Sequence, residues 1–315
     1  MEPVEVVTVG EAMVSLRAPG LLRMATVLDV SVAGAESNVA IGLARLGHRV
    51  RWLGRVGDDE LGLLVLRSLR AEGVLVDTAV TTPGEQTGLV FFDRGPGGGV
   101  RVHYRRAGSA ATRITSADLD PALASAPRLL HLTGITPALG PGPAAAVAHA
   151  AATAHAAGTL VCLDVNFRSS LWSSAQARSA LRPLLPDVDI VVASEDELTI
   201  VADGAAEDET VAELLGAGPV EVVVKRGAAG ASAFTAAGRA DHGSVPVETV
   251  NTVGAGDAFT AGYLSALLDG GDIAARLQRA VVMGAAAVSA QGDWEGLPLR
   301  AELDQVGGPR DEARR

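Results

Sequence analysis

Short apolar segments of strand character alternate with helical segments through most of this 315-residue chain. In its C-terminal two thirds the strand-like segments are residues 129–132, 160–165, 190–193 and 220–225. Strands that alternate with helices form a mostly parallel sheet with helices on both faces. The pattern therefore predicts a doubly wound α/β fold, in which ligands bind beyond the carboxyl ends of the strands.

The N-terminal part has the same order. Residues 4–9 have strand character, residues 37–46 have apolar positions at helical spacing, and residues 49–56 return to strand character. The acidic cluster 58–60 then supplies capping and dipole chemistry for a helix that ends at Gly73.

Between residues 87 and 106 the rhythm changes, because two strand-like segments are joined by a glycine-rich turn without a helix. Segments 88–93 and 100–106 predict a hairpin. With residues 27–33 they predict a small β-sheet that stands off the main body as a lid. The resulting boundaries are a core of residues 1–11, 34–85 and 111–306, a lid of residues 12–33 and 86–110, and a flexible tail of residues 307–315.

Composition limits the partners and the compartment. With 26 basic and 37 acidic residues the net charge is −11, which disfavours nucleic acid and anionic membranes as partners. The single cysteine, Cys162, excludes an intramolecular disulfide framework and a cysteine-rich zinc site. Residues 1–5 are acidic where a secretory signal is basic, and the alanine-rich segment 143–158 is shorter than the ~20 apolar residues of a spanning helix. A cytoplasmic protein is expected.

The lysine content excludes two common kinds of phosphate site. Lys225 is the only lysine, and no Gly-Lys-Ser/Thr sequence exists. A Walker A loop is therefore absent, and so is the lysine-bearing strand motif of protein kinases.

The strongest candidate site is segment 251–259, Asn-Thr-Val-Gly-Ala-Gly-Asp-Ala-Phe, which precedes a helical run to Leu268. Glycines just before a helix allow several backbone N–H groups to point at one anion, with the helix dipole behind them. A transferring phosphoryl group is the natural occupant, and Asp257 would lie beside it as general base for an attacking hydroxyl. The alternative is an aspartate that only caps the helix.

Two further segments place polar residues at strand ends. Residues 225–230, Lys-Arg-Gly-Ala-Ala-Gly, either allow a ligand to approach the backbone closely or form a plain β-turn. Residues 194–197, Ser-Glu-Asp-Glu, cluster three carboxylates, which suit either magnesium held through water or N-capping of a helix.

The strand end at residues 164–168 combines an acid, an amide and a guanidinium. Period two places Asp164, Asn166 and Arg168 on the same side of a strand that leaves the core. Arg168 offers a planar fork that matches a carboxylate, which indicates a substrate with an acid group. An internal salt bridge of Arg168 is the alternative.

These segments resemble motifs of the ribokinase-like carbohydrate kinases. The resemblance spans nearly the whole chain and rests on residues 34–38, 164–172, 194–197, 225–230 and 251–259. Within the family the chain is most similar to 2-keto-3-deoxygluconate kinases, through residues 104–110, the run that ends at Trp172 and residues 292–296. The resemblance implies an α/β core with a β lid that closes over the sugar and commonly forms a dimer contact.

The resemblance also implies roles for individual residues. Asp257 matches the catalytic base, and the backbone of Gly254, Ala255 and Gly256 matches an anion hole. The positions that match substrate contacts are Gly34, Asn38, Tyr104, Arg106, Arg168 and Asp293. The positions that match nucleotide contacts are Ser194, Lys225, Gly227, Gly230, Thr252 and Gly256, and Glu197 is the candidate ligand of Mg²⁺ through water.

Three departures from the family pattern concern the substrate. The substrate glycine pair is reduced to Ala33 and Gly34, and Asn251 stands where many members have aspartate. Tyrosines that relatives often present near Val90 and Arg105 are missing. The last departure leaves the identity of the acid open.

The implied activity is phosphorylation of a primary hydroxyl of a sugar acid, first of all 2-keto-3-deoxygluconate, with ATP and Mg²⁺. The implied assembly is a homodimer or higher homo-oligomer joined through the lid. One alternative is a kinase of the same fold for a neutral sugar, fructose or ribose, or for a nucleoside. A second alternative is a non-catalytic protein that binds nucleotide and sugar. Whether a monovalent cation assists near Asn251 is left open.

Overall fold

The computed structural model describes residues 4–97, 99–204 and 206–308. Residues 1–3 of the predicted core and residues 309–315 of the predicted tail lie outside the described residues. The strands are β1 (Val6–Val9), β2 (Met13–Arg17), β3 (Asp29–Ala33), β4 (Val50–Leu53), β5 (Arg55–Gly57), β6 (Val80–Thr82), β7 (Leu89–Arg94), β8 (Val100–Arg105), β9 (Leu129–Thr133), β10 (Leu160–Asp164), β11 (Ile190–Ser194), β12 (Glu221–Lys225), β13 (Ala231–Thr235) and β14 (Gly238–His242). The α-helices are α1 (Ala35–Arg45), α2 (Glu60–Ala71), α3 (Ser116–Leu123), α4 (Pro141–Ala156), α5 (Ser174–Leu181), α6 (Leu198–Val201), α7 (Glu207–Gly216), α8 (Ala255–Leu268) and α9 (Ile273–Val288).

The main body is an eight-stranded sheet in the order β14-β13-β12-β11-β10-β9-β1-β4. The neighbouring strands β4, β1, β9, β10, β11 and β12 are parallel to one another. Strands β13 and β14 follow β12 at one edge of the sheet, in antiparallel pairing. The predicted doubly wound, mostly parallel sheet is confirmed.

Two apolar layers cover the large sheet, because successive side chains of a strand point to opposite faces. On β9, Leu130 and Leu132 belong to the core that α3 to α7 complete, whereas Leu129 belongs to the core completed by α1, α2, α8 and α9. The alanine-rich segment forms α4, which packs as an ordinary helix. Within the described ranges no helix is long and apolar enough to cross a membrane.

A second sheet of four strands, which we call the small sheet, has the order β3-β2-β7-β8. The predicted hairpin is β7 and β8, and its register pairs Val90 with Tyr104. Strand β2 lies between β3 and β7, antiparallel to β3 and parallel to β7. All four strands fall within the two predicted lid segments.

The single strand expected at residues 49–56 is instead two strands, β4 and β5. Strand β4 joins the large sheet, whereas β5 leaves it and pairs with β6. The two strands are separated at Gly54, where a Cβ would lie 2.3 Å from the carbonyl oxygen of Gly10. That close approach leaves room only for glycine at the change of sheet.

Candidate active site

Two cavities meet at the N-terminus of α8. The first, about 380 Å³, lies between the small sheet and the carboxyl ends of the large-sheet strands. The second, about 420 Å³, lies between the turn after β12, residues 244–249, α8 and α9. Lys225, Thr252 and Gly256 line both cavities. A molecule in one cavity would therefore be separated from a molecule in the other only by this shared wall.

The backbone at the shared wall has a conformation that requires glycine. Gly254 has a φ of +80°, and a Cβ there would lie 2.0 Å from the carbonyl oxygen of Asp293. Helix α8 begins at the next residue, Ala255, and no side chain caps it. Its first-turn N–H groups have no partner four residues earlier in the helix and are available to an anion. The backbone here is therefore compatible with the predicted anion site.

Asp257 lies in this first turn, lines the first cavity and is 6% exposed. Asn38 Nδ2 donates to Oδ2 of this carboxylate at 2.8 Å, and Asn166 Nδ2 donates to Oδ1 at 3.1 Å. Burial raises the pKa of Asp257, while the Asn38 hydrogen bond and the charges of Arg168 and Lys225 oppose the rise. The carboxylate binds amides of other segments, so the interpretation as a helix cap is wrong.

The third element of this centre is a buried ion pair. Lys225 Nζ donates to both oxygens of Asp164, at 2.8 and 3.0 Å, and Thr260 Oγ1 donates to Asp164 at 2.8 Å. Burial opposes the charge of Lys225, but Asp164 and Glu197 outweigh it and raise the pKa of the ammonium. An ammonium has three donors, so one remains free at the shared wall.

The period-two expectation for residues 164–168 is wrong in its geometry. Strand β10 ends at Asp164, and Asn166 has a φ of +38°. Asn166 and Arg168 nevertheless line the first cavity, whereas Asp164 lies beneath it as the partner of Lys225. Among the described residues no carboxylate forms an ion pair with Arg168, so the alternative of an internal salt bridge is not supported.

The residues predicted to contact substrate come together around the first cavity. They are Gly34, Asn38, Tyr104, Arg106, Arg168 and Asp293. Two of them already have charged partners. Arg106 forms an ion pair with Glu11, and Arg17 Nη2 donates to Asp293 at 3.3 Å.

The roof of the first cavity is an apolar face of the small sheet. Its lining side chains are Met13, Ala33, Val90, Phe92, Val102 and Tyr104. Tyr104 pairs across the strands with Val90, and the guanidinium of Arg106 lies 5.3 Å from the Tyr104 ring centre. Arg105 is exposed and does not line the cavity. One tyrosine, Tyr104, therefore lines the cavity. It directly precedes Arg105, near which relatives often have a tyrosine.

Five carboxyl groups line the first cavity: Glu11, Glu36, Glu197, Asp257 and Asp293. Burial raises the pKa of Glu36 to about 7, with Asp257 adding to the rise and the hydroxyls of Thr133 and Thr136 opposing it. Burial likewise raises the pKa of Asp293 to about 7 against the effect of Arg17. At neutral pH these two groups therefore carry less negative charge than two fully ionised carboxylates would.

The residues predicted to contact nucleotide divide between the cavities. Gly227, Gly230 and Thr252 line the second cavity together with Lys225 and Gly256. Ser194 lines the first cavity instead, where its hydroxyl donates to Asp196 at 2.6 Å. Ser194 ends β11, next to Lys225 at the end of β12.

Glu197, the candidate ligand of Mg²⁺, lines the first cavity beside Ser194. Both of its oxygens accept backbone hydrogen bonds, from Phe167 N at 2.7 Å and Ser194 N at 2.8 Å. In the described part of the chain no cluster of three or more His, Cys, Asp or Glu could hold a metal. Mg²⁺ is commonly held by one or two carboxylates, waters and substrate phosphates, and a single carboxylate on the lining of the first cavity fits that arrangement.

The sequence placed Asn166 beside Asp164 and Arg168 at a strand end but gave it no role in the site. Glu11 and Arg17 were missed as candidate site residues. No sequence signal marked them, because their partners Arg106 and Asp293 lie far along the chain.

Comparison with known proteins finds relatives over nearly the whole chain. The sequence model of the pfkB family carbohydrate kinases matches residues 5–300. The chain is 34% identical to the 2-dehydro-3-deoxygluconokinase of Bacillus subtilis (strain 168), over 95% of this chain and 94% of that protein. It is 35% identical to the 2-dehydro-3-deoxygluconokinase of Thermoproteus tenax, over 96% and 94% of the two chains.

The fold is similar to a crystal structure of a putative ribokinase II from E. coli in complex with ATP and Mg²⁺. The TM-score is 0.90 at 26% identity, and the match covers 96% of this chain and 98% of that one. The ribokinase-like fold that the motifs predict is confirmed. The chain belongs to the pfkB family of carbohydrate kinases.

Proposed function

We propose that this chain transfers the γ-phosphoryl group of ATP to a primary hydroxyl of 2-dehydro-3-deoxygluconate, which is 2-keto-3-deoxygluconate. The observation that carries the acid substrate is the charge pairing in the first cavity. Of its three basic residues, Arg106 is paired with Glu11 and Lys225 with Asp164, while Arg168 has no carboxylate partner among the described residues. An unpaired guanidinium matches a substrate carboxylate in bidentate geometry.

The names of the relatives support the same acceptor. Two relatives are named 2-dehydro-3-deoxygluconokinase, and they are 34% and 35% identical to this chain over nearly its full length. A protein from Haloferax volcanii that is 34% identical to this chain is named 2-dehydro-3-deoxygalactonokinase. Its acid, 2-dehydro-3-deoxygalactonate, is therefore a second acceptor to test.

In this proposal each cavity holds one reactant. The sugar acid occupies the first cavity under the small sheet, with its carboxylate at Arg168 and its hydroxyl at Asp257. The nucleotide occupies the second cavity, whose apolar lining includes Val245, Phe259 and Val281. The phosphoryl group then lies at the shared wall between them, which is where transfer needs it.

The chain's own residues supply positioning, a base and positive potential. Asp257 accepts the proton of the attacking hydroxyl, and burial brings the pKa of this carboxyl closer to neutral pH, where a general base works best. The first-turn amides of α8 and the free donor of Lys225 stabilise the charge on the phosphoryl oxygens. Mg²⁺, when bound near Glu197, would neutralise phosphate charge. Closure of the small sheet as a lid would exclude water as a competing acceptor.

The test is acceptor-dependent ADP release by the purified protein. The panel contains 2-dehydro-3-deoxygluconate, 2-dehydro-3-deoxygalactonate, fructose, ribose and a nucleoside. We expect kcat/KM for an acid to exceed that for each neutral acceptor by about 100-fold or more. A neutral acceptor used equally well would contradict the acid substrate, and no activity with any acceptor would favour a binding protein.

Arg168→Ala tests the recognition of the carboxylate directly. We expect KM for the acid to rise by about 10- to 100-fold, since a charge-assisted hydrogen bond contributes about 1.5–3 kcal/mol, while KM for ATP stays within about twofold. Arg113→Ala, which removes an arginine that lines neither cavity, is the matched control. Equal increases in both KM values would remove Arg168 from acid binding.

We further propose that the chain forms a homodimer through the small sheet. The supporting observation is apolar surface at and before edge strand β3, where Met24, Val27 and Val30 are 74%, 69% and 58% exposed. Large exposed apolar side chains gathered on one surface are typical of protein contacts. Light scattering after size-exclusion chromatography is expected to give a dimer for the wild type and a monomer for Val30→Lys.

A further inference from the structure

Glu11 contacts every point at which the chain passes between the main body and the small sheet. The four crossings are residues 10–12, 33–35, 86–88 and 106–110. Glu11 lies on the first crossing, and its carbonyl oxygen would be 2.3 Å from a Cβ at Gly34 on the second. Its Oε1 would be 2.7 Å from a Cβ at Gly88 on the third. The fourth crossing supplies both polar partners of its carboxylate.

Those two partners lie on the two oxygens of the carboxylate. Ser109 Oγ donates to Oε1 at 2.7 Å, and the Arg106 guanidinium forms an ion pair with Oε2, which has no hydrogen bond of good geometry among the described residues. Glu11 is 2% exposed and Arg106 is 8% exposed. Separation of a buried pair would leave an uncompensated charge away from water, which is unfavourable. The pair therefore favours one position of both side chains at the crossings.

The guanidinium keeps donor capacity that Glu11 does not use. A guanidinium has five N–H donors in a rigid plane. Among the described residues no acceptor is found for Arg106 Nε, although this atom is buried. Arg106 also lines the first cavity, together with Glu11 itself. The guanidinium therefore has donor capacity left at the wall of the cavity, which is available to a ligand oxygen.

We propose that Glu11 is a positioning residue for acceptor recognition: it fixes the Arg106 guanidinium at the hinge of the small sheet, where the remaining donors bind an oxygen of the sugar acid. The inference rests on the proposed function for the identity of that acceptor. Its structural half, that Glu11 joins the four crossings into one hinge, is independent of the substrate.

Two roles of Glu11 predict opposite effects on the acid. A residue that only neutralised Arg106 would, when removed, increase the positive charge of the cavity and lower KM for an anionic acceptor. A positioning residue would, when removed, release the guanidinium and raise that KM. The sign of the change therefore distinguishes the two roles.

The kinetic experiment compares wild type, Glu11→Ala and Glu11→Gln. Glu11→Ala is expected to raise KM for the acid by about 10-fold or more, because small displacements of a binding group have large effects. Glu11→Gln, which keeps an acceptor of the same shape, is expected to recover part of that loss. KM for ATP is expected to stay within about twofold in both variants. A lowered or unchanged KM for the acid would overturn the proposal.

Glu221→Gln is the matched control. Glu221 is also a buried carboxylate, with Arg276 at 2.8 Å and the hydroxyl of Tyr263 at 2.7 Å, and it lines neither cavity. This variant is expected to lose stability without a change in either KM. It separates the loss of a buried ion pair from the loss of a hinge.

Deuterium exchange tests the hinge without any acceptor. In Glu11→Ala the amides of residues 86–97 and 99–110 are expected to exchange faster than in wild type, whereas Glu221→Gln leaves them unchanged. Unchanged exchange in Glu11→Ala would overturn the hinge. If wild type phosphorylates no acid, the proposed function fails while this measurement still decides the role of Glu11. Should Glu11→Ala not fold, Ser109→Ala removes one of the two partners and is read in the same way.

Discussion

Asp257 is held by two amides that approach from different parts of the chain. Asn38 comes from α1 and Asn166 from the loop after β10. Each donates one hydrogen to a different oxygen, so the carboxylate is fixed in orientation but keeps lone pairs for a hydroxyl proton. If Asp257 is the base, as proposed, its orientation before the substrate arrives reduces the rearrangement needed during the reaction.

Asp257→Asn is expected to lower kcat by about 10²- to 10⁴-fold, since an amide does not act as a general base at neutral pH. One amide hydrogen would face a donor of Asn38 or Asn166, so a modest loss of stability is expected as well. ATP binding, measured by calorimetry, is expected to stay near that of wild type.

Asp269→Asn is the matched control for this change. Asp269 ends the same helix, at the end remote from the cavities, and pairs with Arg279 and Arg300. Normal turnover is expected in this variant. If Asp257→Asn also turned over normally, Asp257 would not be the base.

At the scale of single residues, the sequence predicted those that stand in a recognisable local pattern. Asp257 follows a glycine turn before a helix, and Arg168 follows a strand end, so both could be found without coordinates. Their hydrogen-bond partners could not be found in this way, because Asn38 is 219 residues from Asp257 in the chain. Only the fold brings such partners together.

The N-terminus of α8 shows how one element depends on a backbone contact. Gly254 has a φ of +80° and leaves no room for a Cβ, which would lie 2.0 Å from Asp293 O. Gly270, just after the other end of the helix, has a φ of +79° and nothing within 4 Å of its Cβ position. The two glycines therefore share a conformation but differ in their surroundings.

Gly254→Ala is expected to lower kcat by about 10²-fold or more, because the clash displaces the amides that are proposed to stabilise the phosphoryl group. Gly270→Ala is expected to lose about 1 kcal/mol of stability from the left-handed backbone and to keep its activity. Steady-state kinetics and urea unfolding of both variants check this expectation. Equal activity of the two variants would show that activity does not depend on the position of the first-turn amides of α8.

At the scale of elements, the alternation of strands and helices predicted the large sheet and the hairpin of the small sheet. It missed β2 as a strand and joined β4 with β5. The second error arises because two short strands separated by a single residue, as β4 and β5 are by Gly54, give one continuous apolar signal. Which sheet a strand joins depends on contacts that the local pattern does not contain.

The large sheet as a whole encloses an unusual group. His131 lies on β9 between β1 and β10, is fully buried, and neither ring nitrogen has a hydrogen-bond partner among the described residues. Burial, with a further contribution from Lys225 and opposed by Asp164, lowers the pKa of this imidazole to about 4. The interior of the sheet therefore holds a histidine that stays neutral.

This histidine makes the stability of the whole molecule depend on pH. In the unfolded chain its pKa is about 6.5, so between pH 6.5 and pH 4 the unfolded chain binds a proton that the folded chain does not. The contribution of His131 to the free energy of unfolding is therefore complete above pH 6.5. It falls by about 3 kcal/mol as the pH drops to 4.

His131→Leu is expected to remove this dependence. Relative to wild type, the free energy of unfolding of the variant is expected to rise by about 3 kcal/mol between pH 7 and pH 4, measured by urea unfolding. His149→Leu, which removes a histidine from the exposed face of α4, is the control. Parallel pH curves for wild type and His131→Leu would rule out the neutral buried ring.

The wall that Lys225, Thr252 and Gly256 provide to both cavities has a consequence for regiochemistry. If the acid is anchored at Arg168 and the phosphoryl group lies at that wall, as proposed, the phosphoryl group reaches only the far end of the acceptor. The hydroxyl would then be selected by the length of the molecule as much as by stereochemistry. An acid one carbon shorter is expected to bind as a competitive inhibitor and to remain unphosphorylated.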